Sequence, residues 1–174
     1  VLNFKSWLAE SAASGNYVAI NVRSGIVIPS IGEVFGESHV CSPEDQHITL
    51  MYSTDTNIKK AVIVNTLSRW DEIDASMDSV DAFDGKDSDT CTIVIKVNSP
   101  KLTEMYDDLV QIGLKHSYPT FTPHISVLYN IPRDQKEKAI LLVGDWVKEN
   151  AGSVSLSGFN VNAIIKNWAD TIND

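Results

Sequence analysis

Cysteine is nearly absent: Cys41 and Cys91 are the only two in 174 residues, and neither sits in a CxxC pair. That excludes a disulfide framework and points to a reduced compartment. Positive charge is scarce as well. The 14 Lys and Arg are outnumbered by 23 Asp and Glu, for a net charge of −9. Proteins that grip long DNA or RNA collect phosphates on a basic face. This balance instead favours a small anionic ligand in a pocket, and no long nucleic acid partner is expected. No run approaches the roughly 18 apolar residues of a membrane span. Residues 1–10 carry one Lys and no sustained apolar stretch, so no secretory leader and a cytoplasmic protein are expected. The missing initiator Met reads as a trimmed start or a removed tag. With four His, no HExxH and no clustered Cys, neither a metal site nor a cofactor is expected. What remains, 43% hydrophobic and 21% charged, is an ordinary globular composition. A chain of this length suits one domain over 1–174, or two intimate half-domains sharing a core.

Hydrophobic spacing predicts the elements. Phe4, Trp7, Leu8 and Ala12 suggest a helix over 3–13, stopped by Gly15-Asn16. Residues 17–22 read as a strand. Residues 24–46, punctuated by Gly25, Pro29, Gly32, Gly36 and Pro43, read as a long loop, a feature that is often functional. A helix is expected from Thr56 or Asn57 to Trp70, with Ile58, Ala61, Val62 and Leu67 inward. Strands follow at 80–83 and 91–97, with a turn over 85–89. A helix opens at Pro100 and runs to His116, and Pro132 opens another to Asn150. Residues 118–123 form an extended lead-in, and strands at 154–156 and 159–165 finish the chain. Nothing over 85–98 resembles a linker.

Against this background one hexapeptide occurs twice. His47-Ile48-Thr49-Leu50-Met51-Tyr52 returns as His124-Ile125-Ser126-Val127-Leu128-Tyr129. Each copy reads as a strand, where residues two apart share a face. His47 then aligns with Thr49, and His124 with Ser126, while Ile48, Leu50, Ile125 and Val127 point to the core. Each motif is followed by a helix and an aromatic-bearing strand: Phe83 lies 36 residues after His47, and Phe159 lies 35 after His124. Such recurrence is what an internal duplication leaves. Two α/β lobes about a pseudo-twofold axis would set the motif strands side by side. Paired imidazoles can supply a base for an attacking oxygen and an acid for a leaving oxygen, and the hydroxyls can meet charge building up on a phosphate. A single HxT or HxS triplet would be an ordinary half-buried strand; the repeat lifts the catalytic reading above it.

His47-Ile48-Thr49-Leu50 and Pro123-His124-Ile125-Ser126-Val127 resemble the paired motifs of the 2H phosphoesterase superfamily, with Ser126 in place of the commoner Thr. The resemblance implies a bilobal α/β (α+β) fold with antiparallel-rich sheets around a central cleft. It also implies metal-independent phosphodiesterase chemistry carried by His47, Thr49, His124 and Ser126. The acidic balance, the N-terminal helix and the loop before His47 are more similar to the phage anti-CBASS phosphodiesterases than to basic RNA-ligase-like members. That likeness implies a cyclic di- or trinucleotide substrate cleaved at its 3′–5′ linkage. Two alternatives stay open: an RNA 2′,3′-cyclic phosphodiesterase, and a nucleotide-binding sponge without turnover.

Five residues are candidate ligand contacts beside a blander role each: Tyr17 (edge or core tyrosine), Arg23 and Lys166 (solvated cations), Trp70 (helix packing) and Trp168 (tail anchor). Tyr52 and Tyr129, five positions beyond their His, are expected to face away from it into the core, and Trp7 and Trp146 also read as core. His39 and His116 each precede a motif His by eight residues, a spacing read as coincidence within loops, with contact to a phosphate ligand as the alternative. The acidic stretch 71–89 reads as a solvated face, or as part of a lid.

Overall fold

A computed structural model describes residues 13–54, 56–84 and 89–165. The expected helix over 3–13 falls essentially outside them, as do Trp7, Lys166 and Trp168. The elements run β1 (Ala13–Val22), α1 (Ile31–Phe35), β2 (His47–Ser53), α2 (Lys60–Leu67), β3 (Ile73–Asp84), β4 (Thr90–Asn98), α3 (Pro100–Gln111), β5 (His124–Pro132), α4 (Lys136–Glu149) and β6 (Ser153–Ile165). All six strands form one antiparallel sheet in the order β2-β1-β6-β3-β4-β5.

That order is a palindrome under exchange of β1 with β4, β2 with β5 and β3 with β6. Each half of the chain folds as strand–helix–strand–helix–strand, as a duplication requires. The third strand of each half crosses over to pair with the other half, so the lobes are β2-β1-β6 and β5-β4-β3. The motif strands are therefore the two edges of the sheet, not hydrogen-bonded neighbours. They come close to one another all the same, because the sheet curls until its edges face across an open concave side. The helices cover the other side: α2 packs on β6, α3 on β2 and α2, and α4 on β3 and β4.

The core lies between helices and sheet, with Ile20, Ile48, Leu50, Ile93 and Ile95 meeting Ile63, Leu102, Met105, Leu109 and Val143. Helical spacing selects the buried faces: Leu102, Met105 and Leu109 on α3, and Ala139, Val143 and Val147 on α4. On α2 the inward residues are Ile63 and Leu67, while Ala61 and Val62 are exposed. The helix starts at Lys60 rather than Thr56, so Ile58 lies ahead of it, and the i, i+4 pair Ile63 and Leu67 forms its buried face. Trp146 packs partly buried against the core. The long segment before β2 is not featureless; it holds α1 and two short 3₁₀ turns, Glu37–His39 and Pro43–Asp45. Helix α3 ends at Gln111, not at His116, since Gly113 takes a left-handed φ of 102° and lets Leu114 N–H close back on Leu109 O. This early stop frees residues 114–123 to run along the concave side. Among the described residues, no helix is long and apolar enough to cross a membrane.

Candidate active site

The two motif strands share an irregularity. Along β1, Ala19 pairs with Thr49 but Val18 pairs with Met51, leaving Leu50 as an extra residue. Along β4, Val94 pairs with Ser126 but Ile93 pairs with Leu128, leaving Val127 extra. Each is a β-bulge at the third residue after the His. A bulge shifts the alternation by one, so Leu50-Met51 and Val127-Leu128 are consecutive buried pairs. Tyr52 and Tyr129 consequently return to the face that carries the His. The expectation that they point into the core fails for this reason. Tyr52 lines the cleft, and Tyr129 is 37% exposed.

The cleft on the concave side has a volume of about 510 Å³. Thr49, His124 and Tyr17 line it, and so does an aromatic wall from Tyr52, Phe83, His116, Tyr118 and Phe121. His47 stands beside Tyr17, ring edge to ring face at 6.2 Å. Phe83 makes the matching contact with His124 at 4.7 Å. Both imidazoles are held in the same way. His47 Nδ1 lies 2.7 Å from Asp45 O, and His124 Nδ1 lies 2.7 Å from Thr122 O. A carbonyl only accepts, so each Nδ1 carries the proton and donates it. Each Nε2 is thus the nitrogen free to gain or lose a proton.

Each motif hydroxyl has a tyrosine near it. Tyr17 Oη lies 3.3 Å from Thr49 Oγ1, and Ser126 neighbours the Tyr129 phenol, whose pKa burial pushes up and Ser126 draws back down. Burial pushes the His124 pKa down; its Thr122 hydrogen bond opposes this, and the His47 and Lys96 charges reinforce it. His47 meets the cleft through its contact with Tyr17 rather than lining it. Lys96, opposite His124 in the β4–β5 register, is held by Asp81 at 2.8 Å. Asp81 is lowered chiefly by that hydrogen bond. Burial also pushes His116 down.

Two of the candidate ligand contacts lie elsewhere. Arg23 is bound to Glu72, and its backbone N–H donates to Ser155 O. Trp70 borders a different hollow between α2 and β6. Its indole N–H donates to Asp108 at 3.0 Å, under the Arg69 guanidinium. Phe83, Tyr118 and Phe121 add aromatic contacts beyond the five candidates, and the run Tyr118-Pro119-Thr120-Phe121 ahead of the second motif is the sequence signal for two of them. The acidic stretch is largely strand β3, whose Asp81 and Asp84 pair with Lys96, Arg133 and Lys136. Among the described residues, no group of three His, Cys, Asp or Glu is placed to hold a metal ion.

The fold has solved counterparts. Usb1 of Kluyveromyces marxianus superposes with a TM-score of 0.57 over 88% of this chain and 95% of its own, at 7% identity. E. coli LigT complexed with 3′-AMP gives a TM-score of 0.50 over 87% and 88%, at 16% identity. These likenesses show that the α+β fold is shared with both proteins. In sequence, the anti-CBASS protein Acb1 of Vibrio phage KVP40 is 32% identical over 88 residues. The match spans 51% of this chain and 53% of that protein, about half of each. The model of the family described as anti-CBASS protein Acb1 matches residues 14–151. That stretch takes in both motif strands and the whole cleft wall, and it places this chain in the Acb1 family of anti-CBASS proteins.

Proposed function

We propose that this protein is a metal-independent phosphodiesterase that opens the 3′–5′ linkages of cyclic di- or trinucleotide messengers, acting for a phage in the cytoplasm of its bacterial host. The observation that carries the reading is the twin anchoring of His47 and His124. Two imidazoles with Nδ1–H tied to a backbone carbonyl and Nε2 left free form an acid–base pair, set beside two hydroxyls and a nucleobase-sized aromatic wall. The anti-CBASS family name supports the messenger substrate, and a net charge of −9 suits a ligand with few phosphates.

Burial keeps His124 neutral to lower pH, which fits the base. Its Nε2 takes the proton from the ribose 2′-OH as O2′ bonds to phosphorus. The P–O5′ bond breaks in line, and protonated His47 gives its Nε2 proton to O5′. A 2′,3′-cyclic phosphate results, which water can open by the reverse proton movements. Thr49 and Ser126 donate to the non-bridging oxygens, and Tyr52, Phe83 and Tyr118 offer faces for bases. Tyr118, 58% exposed, is available for stacking.

Incubation with a 3′,3′-cyclic dinucleotide and, separately, with an oligomer ending in a 2′,3′-cyclic phosphate tests the proposal. Linearisation of the dinucleotide is expected. Turnover of the oligomer alone would make the protein an RNA-end enzyme, and full recovery of both ligands would make it a sponge. The pH–rate profile is expected to be bell-shaped. Activity falls on the acid side as His124 takes up a proton, and since its pKa is depressed, that limb lies below the ordinary imidazole value of about 6.5. An acid limb above that value would remove His124 from the role of base.

A further inference from the structure

We propose that His39 and His116 are positioning residues, forming two crossed clasps by which the loop leading into each motif strand holds the end of the opposite motif strand. The eight-residue spacing is not coincidence. His39 Nδ1 lies 2.9 Å from Tyr129 O on β5. His116 Nδ1 lies 3.1 Å from Tyr52 N on β2. Tyr52 and Tyr129 are the same position of the repeat, so each His reaches across to the tyrosine that its own half's motif matches.

The two bonds have opposite polarity. Tyr129 O accepts, so His39 Nδ1 carries a proton. Tyr52 N–H donates, so His116 Nδ1 presents a lone pair. Backbone bonds flank each clasp: Cys41 N–H donates to Val127 O at 3.0 Å, and Ser117 N–H to Tyr52 O at 2.7 Å. Val40 bridges to Leu128 on one side, and Thr54 N–H donates to the Ser117 hydroxyl on the other.

The sheet makes such clasps necessary. Its motif strands are its two edges, joined by no ladder of their own. Nothing in the strand pairing fixes the width of the gap between the catalytic groups. The clasps grip just past the bulges, three residues beyond Thr49 and Ser126, and so set both the gap and the tyrosines that share its face. Proton relay across a phosphate tolerates little slack; an error of about 1 Å can cost on the order of 100-fold in rate.

The inference rests on the phosphodiesterase reading for its catalytic consequence, but its geometry can be read without turnover. Asn is the informative replacement, because its amide oxygen or nitrogen occupies the place of Nδ1. In the full chain, His116→Ala is expected to abolish hydrogen-exchange protection of the Tyr52 amide, and His116→Asn to restore it. Protection unchanged in His116→Ala would overturn the clasp whether or not the protein cleaves anything. In cyclic-dinucleotide turnover, His39→Ala is expected to lower kcat by roughly 10- to 100-fold with KM moved by no more than about twofold. His39→Asn should recover most of the loss. A wild-type kcat in His39→Ala, a loss confined to KM, or failure of Asn to rescue would each sink the positioning role. If the wild-type chain itself turns over no phosphodiester, the functional reading falls while the exchange result still judges the clasp.

Discussion

Replacing either motif histidine with alanine is expected to remove nearly all turnover and leave the fold standing. Loss of a positioned acid or base costs roughly 10²–10⁴-fold. The rings contribute little to the core, which is built from the alternate residues Ile48, Leu50, Ile125 and Val127 behind them. His47→Ala and His124→Ala should therefore unfold close to the wild-type temperature while their single-turnover rates collapse. The double variant should lose little beyond the worse single one, because an acid and a base acting on one phosphorus work as a unit. Thr49→Val and Ser126→Ala are expected to cost less, about 10- to 100-fold each. Tyr17 stands beside Thr49 and Tyr129 beside Ser126, so a hydroxyl remains near the place each one vacates. A His variant that keeps wild-type turnover would remove the paired acid–base mechanism altogether.

The parts of this site that depend on spacing were legible in the sequence. The hexapeptide repeat, its two-residue His-to-hydroxyl step and the strand–helix–strand recurrence point to paired motif strands, and the structure sets Thr49 and His124 in one cleft with His47 against its Tyr17 wall. Tyr17 was also found, as the first residue of a strand recognisable by its alternation. What stayed hidden depends on pairing. A bulge is one unpaired residue, and counting alternation assumes there is none; the adjacent apolar pairs Leu50-Met51 and Val127-Leu128 were the trace it left. The crossing of β3 and β6 between lobes leaves no local mark at all, since a strand's pattern does not name its neighbour. A charge near a strand end marks Arg23 in the sequence, but Glu72 takes that charge. Trp70 offers an aromatic face in the sequence, yet its indole N–H is committed to Asp108. Gly113 was passed over inside a helix whose apolar spacing ran on to His116, and its left-handed backbone is what delivers Tyr118 and Phe121 to the cleft.

The largest loss of stability from a single polar residue is expected at Gln46, which is only 2% exposed. Its side chain clamps the backbone of the segment before β2. Ile26 N–H donates to Gln46 Oε1 at 2.6 Å, and Gln46 Nε2 donates to Ile26 O at 2.8 Å and to Cys41 O at 3.5 Å. Leucine has a similar volume but none of these partners, so Gln46→Leu strands up to three dry backbone groups. At about 1–3 kcal/mol for each unsatisfied group, partly relieved by water entering from the loop side, the cost is expected to be about 3–5 kcal/mol. In a chain of this size that lowers the melting temperature by roughly 10 °C or more. The segment it secures includes Asp45, whose carbonyl fixes the His47 ring, and Cys41, whose N–H holds β5. Gln46→Leu should accordingly lose kcat well below its melting temperature, because the His47 ring and one crossed clasp loosen together. Thermal unfolding within about 2 °C of wild type would show that this segment is held by other contacts.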